Sequence, residues 1–342
     1  MPQIRENISL QSLNTFGVAA LARYYTEAHT LADWSALYDK GWLQKKHLVL
    51  GGGSNLLFLE DFNGLVIRQM LRGITVIQEE EDTVIIKAMA GEPWHNLVLH
   101  AVAHNWGGIE NLSLIPGNAG AAPIQNIGAY GVELEQVFIS LETMEIATGN
   151  ISIFNKNECH FGYRQSLFKS ALKGKYIILS ITLQLSKNPV FHTTYGAIRD
   201  TLDRMHCKEQ SVQAVSDAVI QIRKSKLPDP DILGNAGSFF KNPSISVEET
   251  HKLLDIHPSM PNFSTPEGYV KIPAGWLIEQ CGWKGKRVGN TGCHAAQALV
   301  IVNYGDASGK EIWAHAKNVQ ASVLEKFGIL LEPEVNIVSS PG

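Results

Sequence analysis

The stretch Pro116-Gly117-Asn118-Ala119-Gly120-Ala121-Ala122-Pro123-Ile124-Gln125-Asn126-Ile127-Gly128-Ala129-Tyr130-Gly131 decides how the rest of the chain is read. It holds four glycines and hardly a bulky side chain before Ile124. Glycine permits positive φ and lets a ligand approach the main chain closely. Successive free N–H groups in such turns form a concave anion site that suits a pyrophosphate. Gln125 and Asn126 add amide groups, and no charge falls between Gly117 and Val132. A loop of this length without secondary structure of its own is more often functional than a connector.

A second loop of the same character lies upstream. Leu48, Val49 and Leu50 form a short buried strand that runs into Gly51, Gly52, Gly53, Ser54 and Asn55. A dinucleotide fingerprint would put a third glycine where Leu56 stands and would need a crossover helix. The turn signal at Asn63-Gly64 leaves no room for one. The loop is therefore read as an anion or cofactor contact of another kind.

Length and composition bound the class. The chain has 342 residues, 44% of them hydrophobic and 18% charged, with a net charge of −4. That predicts two or three globular domains and disfavours a nucleic-acid partner. Met1 to Glu6 lacks the apolar core of a secretory signal, and no apolar run reaches the roughly 18 residues of a membrane span. Four cysteines, at 159, 207, 281 and 293, have neither C-x-x-C nor metal-ligand spacing. They read as reduced thiols of a cytoplasmic protein.

Periodicity places the remaining elements. Ile74–Ile77 and Thr83–Ala88 read as strands around the acidic turn Glu79–Asp82. Trp94, Leu97, Val98, Ala101 and Val102 line one face of a helix opened by Pro93 and ended by Gly107 and Gly108. His100 and His104 have the spacing of a metal-ligand pair, but no third ligand follows; solvated or hydrogen-bonded histidines are the expectation. Val137–Ile146, Ile151–Phe154 and Tyr176–Leu185 are strands, the last with Ile177, Leu179, Ile181, Leu183 and Leu185 on one face. A helix from Ser211 to Lys226 stops at Leu227-Pro228-Asp229-Pro230, taken as a domain boundary. Ser246/Glu249 and Ser308/Glu311 are capping boxes, and Gly328 ends the last long helix.

Several polar residues stand out beside these elements. Arg164, between the aromatic residues of Phe161-Gly162-Tyr163 and Phe168, can offer its planar fork to a carboxylate or phosphate, or simply stack on a ring. Arg223 and Lys226 end their helix, where they also complement its dipole. Ser238 stands in Gly234-Asn235-Ala236-Gly237-Ser238-Phe239-Phe240, a backbone turn without the elbow of a hydrolase nucleophile. Glu334 follows Pro333 beside apolar residues and reads as a half-buried acid or as a solvated edge charge.

Taken together, Gly51–Asn55, Pro116–Gly131, Phe161–Arg164, Gly234–Pro243, Ala274–Ile278, His294–Val302 and Glu332–Val335 resemble the UDP-N-acetylenolpyruvoylglucosamine reductase (MurB) family. The likeness runs from about Asn14 to Val338, and the stretch between Lys252 and Ala274 resembles its longer, type I form. The resemblance implies an α+β fold: a two-lobed FAD-binding module of vanillyl-alcohol-oxidase type plus a smaller α+β substrate domain. The implied divisions are residues 1–72 and 73–227 for the lobes and 228–330 for the substrate domain, with 331–342 returning to the flavin module.

The resemblance also implies non-covalent FAD, NADPH as hydride donor, and reduction of UDP-N-acetylglucosamine enolpyruvate to UDP-N-acetylmuramate in peptidoglycan precursor synthesis. Flavin contacts would come from Gly51, Gly52, Gly53, Ser54, Asn55, Pro116, Gly117, Gly120, Ala121, Ala122, Gln125, Asn126, Gly128, Tyr130 and Arg223. Arg164 and Glu334 would hold the substrate carboxylate, Glu334 as a neutral hydrogen-bond donor, and Ser238 would supply the proton. Tyr195, Lys226, Asn242, Lys271 and Gln297 would contact the sugar nucleotide. The chain departs from the family at Ala121 and Ala122, where hydroxyls are common, at Phe263 in place of a tyrosine, and at Asn336 in place of an arginine. A carbohydrate oxidase of the same flavin fold and a non-catalytic sugar-nucleotide binder are the alternative readings.

Overall fold

The computed structural model describes residues 2–195, 197–207, 209–265 and 268–339. Internal contacts divide the chain into two compact units. The first comprises the residues up to Ile8, Ala22–Gly52 and Asn63–Ser225; the second comprises Ser9–Leu21, Gly53–Phe62 and the chain from Lys226 onward. The division thus runs through the Gly51–Asn55 loop, and it falls again between Ser225 and Lys226.

The first unit is built on two sheets. One has the strand order Arg5–Ser9, Leu21–Ala28, Phe62–Gln69, His47–Leu50, and its last two strands are parallel, with His47 opposite Leu65. Asn63 and Gly64, expected to turn, lie inside the strand Phe62–Gln69. Pairing on both sides overrides the local turn preference of that dipeptide. The other sheet has the order Ile151–Asn155, Phe138–Glu145, Tyr176–Ser186, Thr83–Met89, Ile74–Glu79 and is antiparallel.

The long strand Tyr176–Ser186 does not keep its leucines and isoleucines on one face. A register shift against Phe138–Glu145 sets Thr143 opposite Ile178 but Glu142 opposite Ser180. The extra residue of such a bulge rotates the side chains that follow. Ile177 and Leu179 consequently pack with Trp34, Leu37 and Ile67, whereas Ile181, Leu183 and Leu185 pack with Trp94, Leu97 and Val98. Between the two cores the Trp34 indole N–H donates to Gln69 Oε1, and Gln69 Nε2 donates to Ile178 O.

Helix α1 spans Leu31–Asp39 and α2 Trp94–Ala103, the latter with its five predicted core residues buried. Pro93 precedes α2 rather than opening it, and the left-handed residue past its end is Asn105 (φ 57°), ahead of the glycines. The histidine pair of α2 is tied up locally. His104 Nδ1 lies 2.8 Å from His100 O, and its ring stacks on Trp106. A short helix, α3 (Ile198–Arg204), has no cap and no strong sequence signal; α4 follows at Val212–Lys226 with Val212, Val215, Val219 and Ile222 buried.

The second unit carries a four-stranded sheet ordered Gly234–Ser238, Val300–Asn303, Thr291–Cys293, Arg287–Val288. A three-stranded sheet, Ser244–Ile245, Val270–Lys271, Phe263–Ser264, lies in the same unit with helices α5 (Val247–Ile256), α6 (Ala274–Gln280) and α7 (Gly309–Phe327). Both predicted capping boxes form, at Ser246/Glu249 and Ser308/Glu311. Each cap is worth about 1 kcal/mol. Gly328 closes α7 at φ 68°, and Ile312, Val319 and Val323 lie in the core. Asn336–Val338 pairs in parallel with Leu56–Phe58. No helix among the described residues is long and apolar enough to cross a membrane.

Candidate flavin and nucleotide site

In the first unit the two glycine loops meet. A side-chain carbon on Gly52 would lie 3.1 Å from the Gly117 Cα, and one on Gly51 would touch the Asn118 side chain at 3.6 Å. Bare backbone here leaves a cradle that any side chain would begin to fill. Gly53 belongs to the second unit. Its φ is +66°, and a side chain would fall 1.9 Å from Leu13 O, so only glycine fits. Its carbonyl accepts from Thr15 N–H, while Asn55 O accepts both the N–H and the side-chain amide of Asn336. Ser54 and Asn55 are half-buried beside it.

The central loop is more ordered than its sequence indicates. Ala119–Gln125 forms a 3₁₀ helix, and Gly128–Ala129 pairs with Val132–Glu133 in a small hairpin. Its N–H groups are not all free: Ala119 donates to Glu92 O, Gly120 to Ala90 O and Ala121 to Asn118 O. Asn126 is fully buried at φ 43° and spends its side chain on the fold, donating to Glu133 and Gly162 O and accepting from Glu135 N–H. Pro116 and Ala121 are exposed, Ala122 is buried, and Gln125 is half-buried.

Around the hairpin the charged groups gather. The Arg164 guanidinium donates to Gly128 O at 2.7 Å, and Lys169 donates to Arg164 O. Arg223, at the end of α4, donates through Nε to Leu114 O and bonds the Tyr130 phenol. Burial raises the Tyr130 hydroxyl above its ordinary value, partly offset by Arg223. Burial also works against the Arg223 charge; Tyr130 favours that charge and Arg164 opposes it. Of the described non-glycine residues with positive φ, those without an Asn, Asp or His side chain are Leu114 (57°), Tyr130 (52°) and Arg164 (53°). All three belong to this cluster. Such conformations cost about 1–3 kcal/mol each and collect at functional sites.

Tyr195 is exposed and sits over Gly131, where a side-chain carbon would meet its Cβ at 3.4 Å. Lys226, the last residue of α4, is exposed.

In the second unit the expected turn at Gly234–Ser238 is a strand. Ser238 pairs opposite Val300 across a register shift, with Gly237 at φ +68°. Phe239 O accepts from Glu334 N–H at 2.8 Å, and Phe240 bridges Pro333, so Ser238 and Glu334 lie on adjacent backbone segments. Both are half-buried, and among the described residues the Ser238 hydroxyl has no hydrogen-bond partner. Asn242 accepts from Ala274 N–H at the start of α6. Gln297 converges there too, its Oε1 lying 3.1 Å from where a Gly275 side chain would begin. Lys271, on the strand just before α6, is half-buried and opposite Ser244 and Phe263.

Comparison with known proteins names this arrangement. Residues 25–155 match the model of an FAD binding domain, and residues 229–338 match that of the UDP-N-acetylenolpyruvoylglucosamine reductase C-terminal domain. The UDP-N-acetylenolpyruvoylglucosamine reductase of Amoebophilus asiaticus is 53% identical, over 98% of this chain and 99% of the relative. The chain belongs to the UDP-N-acetylenolpyruvoylglucosamine reductase family.

The enzyme of that name from Flavobacterium johnsoniae is 45% identical, over 98% of this chain and all of the relative. A crystal structure of the reductase from Thermus caldophilus shares the fold, with a TM-score of 0.70 at 23% identity over 98% of this chain and 99% of that one. Of the departures from the family pattern, Asn336 caps Asn55 O, and Phe263 is exposed at a strand edge. The family motifs do not mark His95 and Leu114, which meet beside the Arg223–Tyr130 contact, the Leu114 N–H donating to His95 Nδ1. His95 stands next to a core tryptophan at a helix start, where periodicity carries no information about it. The four cysteines are free thiols, and burial pushes Cys159 and Cys293 up to about 12.

Proposed function

We propose that this chain is an FAD-dependent oxidoreductase that uses NADPH to reduce UDP-N-acetylglucosamine enolpyruvate to UDP-N-acetylmuramate. The observation that carries the reading is the bare backbone where Gly52 meets Gly117, in the same unit as the two neighbouring guanidinium groups of Arg164 and Arg223, in a chain of this family. FAD held there would supply hydride-transfer chemistry between NADPH and the methylene carbon of the enolpyruvyl group. The chain does the rest. Gly51, Gly52, Gly53, Ser54, Asn55 and the Pro116–Tyr130 loop hold the dinucleotide through close backbone approach, and Arg223 with Tyr130 fixes the hairpin beside it.

Hydride arrival pushes electrons into the neighbouring carboxylate, so charge builds there and needs preorganised partners. Arg164 and Glu334 hold that carboxylate. Ser238 gives its proton to the carbon bearing the developing charge, and an uncommitted hydroxyl suits that step. Lys226 and Lys271 neutralise the diphosphate, while Tyr195, Asn242 and Gln297 orient the sugar nucleotide. The functional division follows the sequence reading, with 1–72 and 73–227 for the flavin, 228–330 for the nucleotide and 331–342 returning. A cytoplasmic location fits free thiols and soluble substrates.

The test is an absorption spectrum of the purified protein. A flavin spectrum that bleaches anaerobically with NADPH and returns on adding the enolpyruvyl nucleotide is expected. Bleaching by a simple sugar, with the colour restored by oxygen as peroxide forms and no return on adding the nucleotide, would replace this reading with an oxidase.

A further inference from the structure

The left-handed residue Leu114 opens the central loop, and two side chains hold it from opposite sides. Its N–H donates to His95 Nδ1 at 2.9 Å, and its carbonyl accepts from Arg223 Nε at 3.2 Å. A ring nitrogen that accepts must be unprotonated, so His95 carries its single proton on Nε2. His95 lies one residue after Trp94, which grips the same segment twice more. The Trp94 indole donates to Leu112 O, and its backbone N–H donates to Gly117 O. The start of α2 therefore fastens Leu112 to Gly117, the run that presents Gly117 to Gly52.

We propose that His95 is a positioning residue for the flavin loop, holding Leu114 in its left-handed conformation only while the imidazole is neutral. The proposal rests on the reading of the Gly52–Gly117 cradle as the flavin site. Protonated His95 has N–H groups on both ring nitrogens and faces the Leu114 N–H donor to donor. Leu114 then has one anchor instead of two, and its carbonyl no longer presents a fixed acceptor to Arg223. The Arg223–Tyr130 contact and the register of Gly117 against Gly52 loosen together.

The surroundings favour the neutral ring. Burial, then Arg223 and Lys224 on α4, hold His95 below the usual imidazole range. Further charged or titratable groups of this cluster, among the described residues, are Tyr130, bonded to Arg223, Arg164 near Arg223, Lys169 on Arg164 O and Glu133 on the hairpin. Since the folded value is depressed, the stability that the neutral ring contributes is complete above the ordinary histidine value of 6.5 and declines below it, and the Leu114 bond itself is lost as pH falls through the lower, folded value.

The experiment follows flavin release from the diluted holoenzyme by fluorescence. Wild-type protein is expected to release FAD progressively more readily as the pH is lowered from about 7.5 through the range below 6.5. In His95→Asn the amide oxygen replaces Nδ1 as acceptor and cannot be protonated. That variant should hold FAD within a few-fold of wild type at the higher pH and show no acid loss. His95→Ala should release FAD about tenfold more readily throughout that range.

His95→Ala with wild-type retention, or His95→Asn with the full wild-type acid loss, would overturn the proposal. If the Ala variant does not fold, the pH dependence of the Asn variant decides alone. Wild-type protein without flavin would sink the proposed function itself; flavin-loaded wild type whose release ignores pH would sink only this inference.

Discussion

Around Leu114, Tyr130 and Arg164 the backbone is bent into left-handed conformations, and the polar groups there are held by other parts of the same unit. Around Ser238 and Glu334 the backbone is strand and bridge, with a register shift whose left-handed position is taken by Gly237, and the serine hydroxyl has no partner among the described residues. The first region has already met the cost of strain and burial, so a cofactor held there, as proposed, would bind a surface that need not reorganise. The second keeps a reactive group uncommitted, as suits a substrate that comes and goes and a proton that must move. Each way of breaking this contrast should have its own readout.

The largest effect is expected at Ser238. In Ser238→Ala, bleaching by NADPH should proceed at the wild-type rate, because that step needs no proton from this side chain. Reoxidation by the enolpyruvyl nucleotide should slow by about 10²–10⁴-fold, the usual cost of losing a positioned general acid. Stopped-flow mixing of reduced enzyme with substrate separates the two steps. Normal reoxidation would leave Ser238 as a strand residue that happens to be unpaired.

The second unit also contains a buried polar group of the kind found in the first. His315 on α7 lies 3.0 Å from Thr291 Oγ1 and 3.6 Å from Cys293 Sγ, under the Trp283 ring. Burial, then Lys286, lowers its pKa from 6.5 to about 4. The fold therefore favours the neutral ring: the associated stability is complete above 6.5 and is lost as pH falls toward about 4. Urea unfolding across that interval should show a loss of about 2 kcal/mol, less than the full shift because the Lys286 part is screened by solvent. His315→Gln should flatten that part of the slope. An unchanged slope would assign it to other histidines.

How far these regions could be read from sequence depends on whether the cause is local. Capping boxes and the Trp94–Val102 stripe are set by residues within a turn or two of each other, and they were legible. Asn63-Gly64 looked like a turn because the strands that flank Phe62–Gln69 come from elsewhere in the chain. The face switch in Tyr176–Ser186 depends on a register shift against Thr143, which alternation within one strand cannot reveal. Motif resemblance pointed to Arg164, Ser238 and Glu334 because their residue types and neighbours are distinctive. His95 and Leu114 carry no such mark: their importance lies in one bond across 19 residues and one backbone angle.

A milder break of the contrast is Gly52→Ala. The new Cβ would sit 3.1 Å from Gly117 Cα, close enough that one loop must yield by a few tenths of an ångström. The variant should fold, since Gly52 is exposed and does not have positive φ. It should bind FAD about tenfold more weakly, the price of disturbing a backbone cradle by about one hydrogen bond. Titration of flavin-stripped protein with FAD measures this. Wild-type affinity would mean that the cofactor does not use the Gly52–Gly117 surface.

The smallest effect is expected where both regions give way to solvent, at the two lysines assigned to the diphosphate. Lys226 is exposed at the last turn of α4, and Lys271 is half-buried on its strand. An exposed charge pair contributes about 0–1 kcal/mol and is screened by salt. Lys226→Ala should therefore raise KM for the nucleotide by only a few-fold and leave kcat near wild type, the pattern of lost uniform binding. Lys271 lies in a drier setting and already interacts with another residue of the chain. Its contribution should be larger than that of Lys226 and less sensitive to salt, and Lys271→Ala should lower the melting temperature slightly because that interaction is lost too. Steady-state kinetics at low and moderate salt distinguish the two. Equal, salt-independent effects on KM would contradict the assignment of one exposed and one sheltered phosphate contact. A fall in kcat without a change in KM would move either lysine from binding to the chemical step.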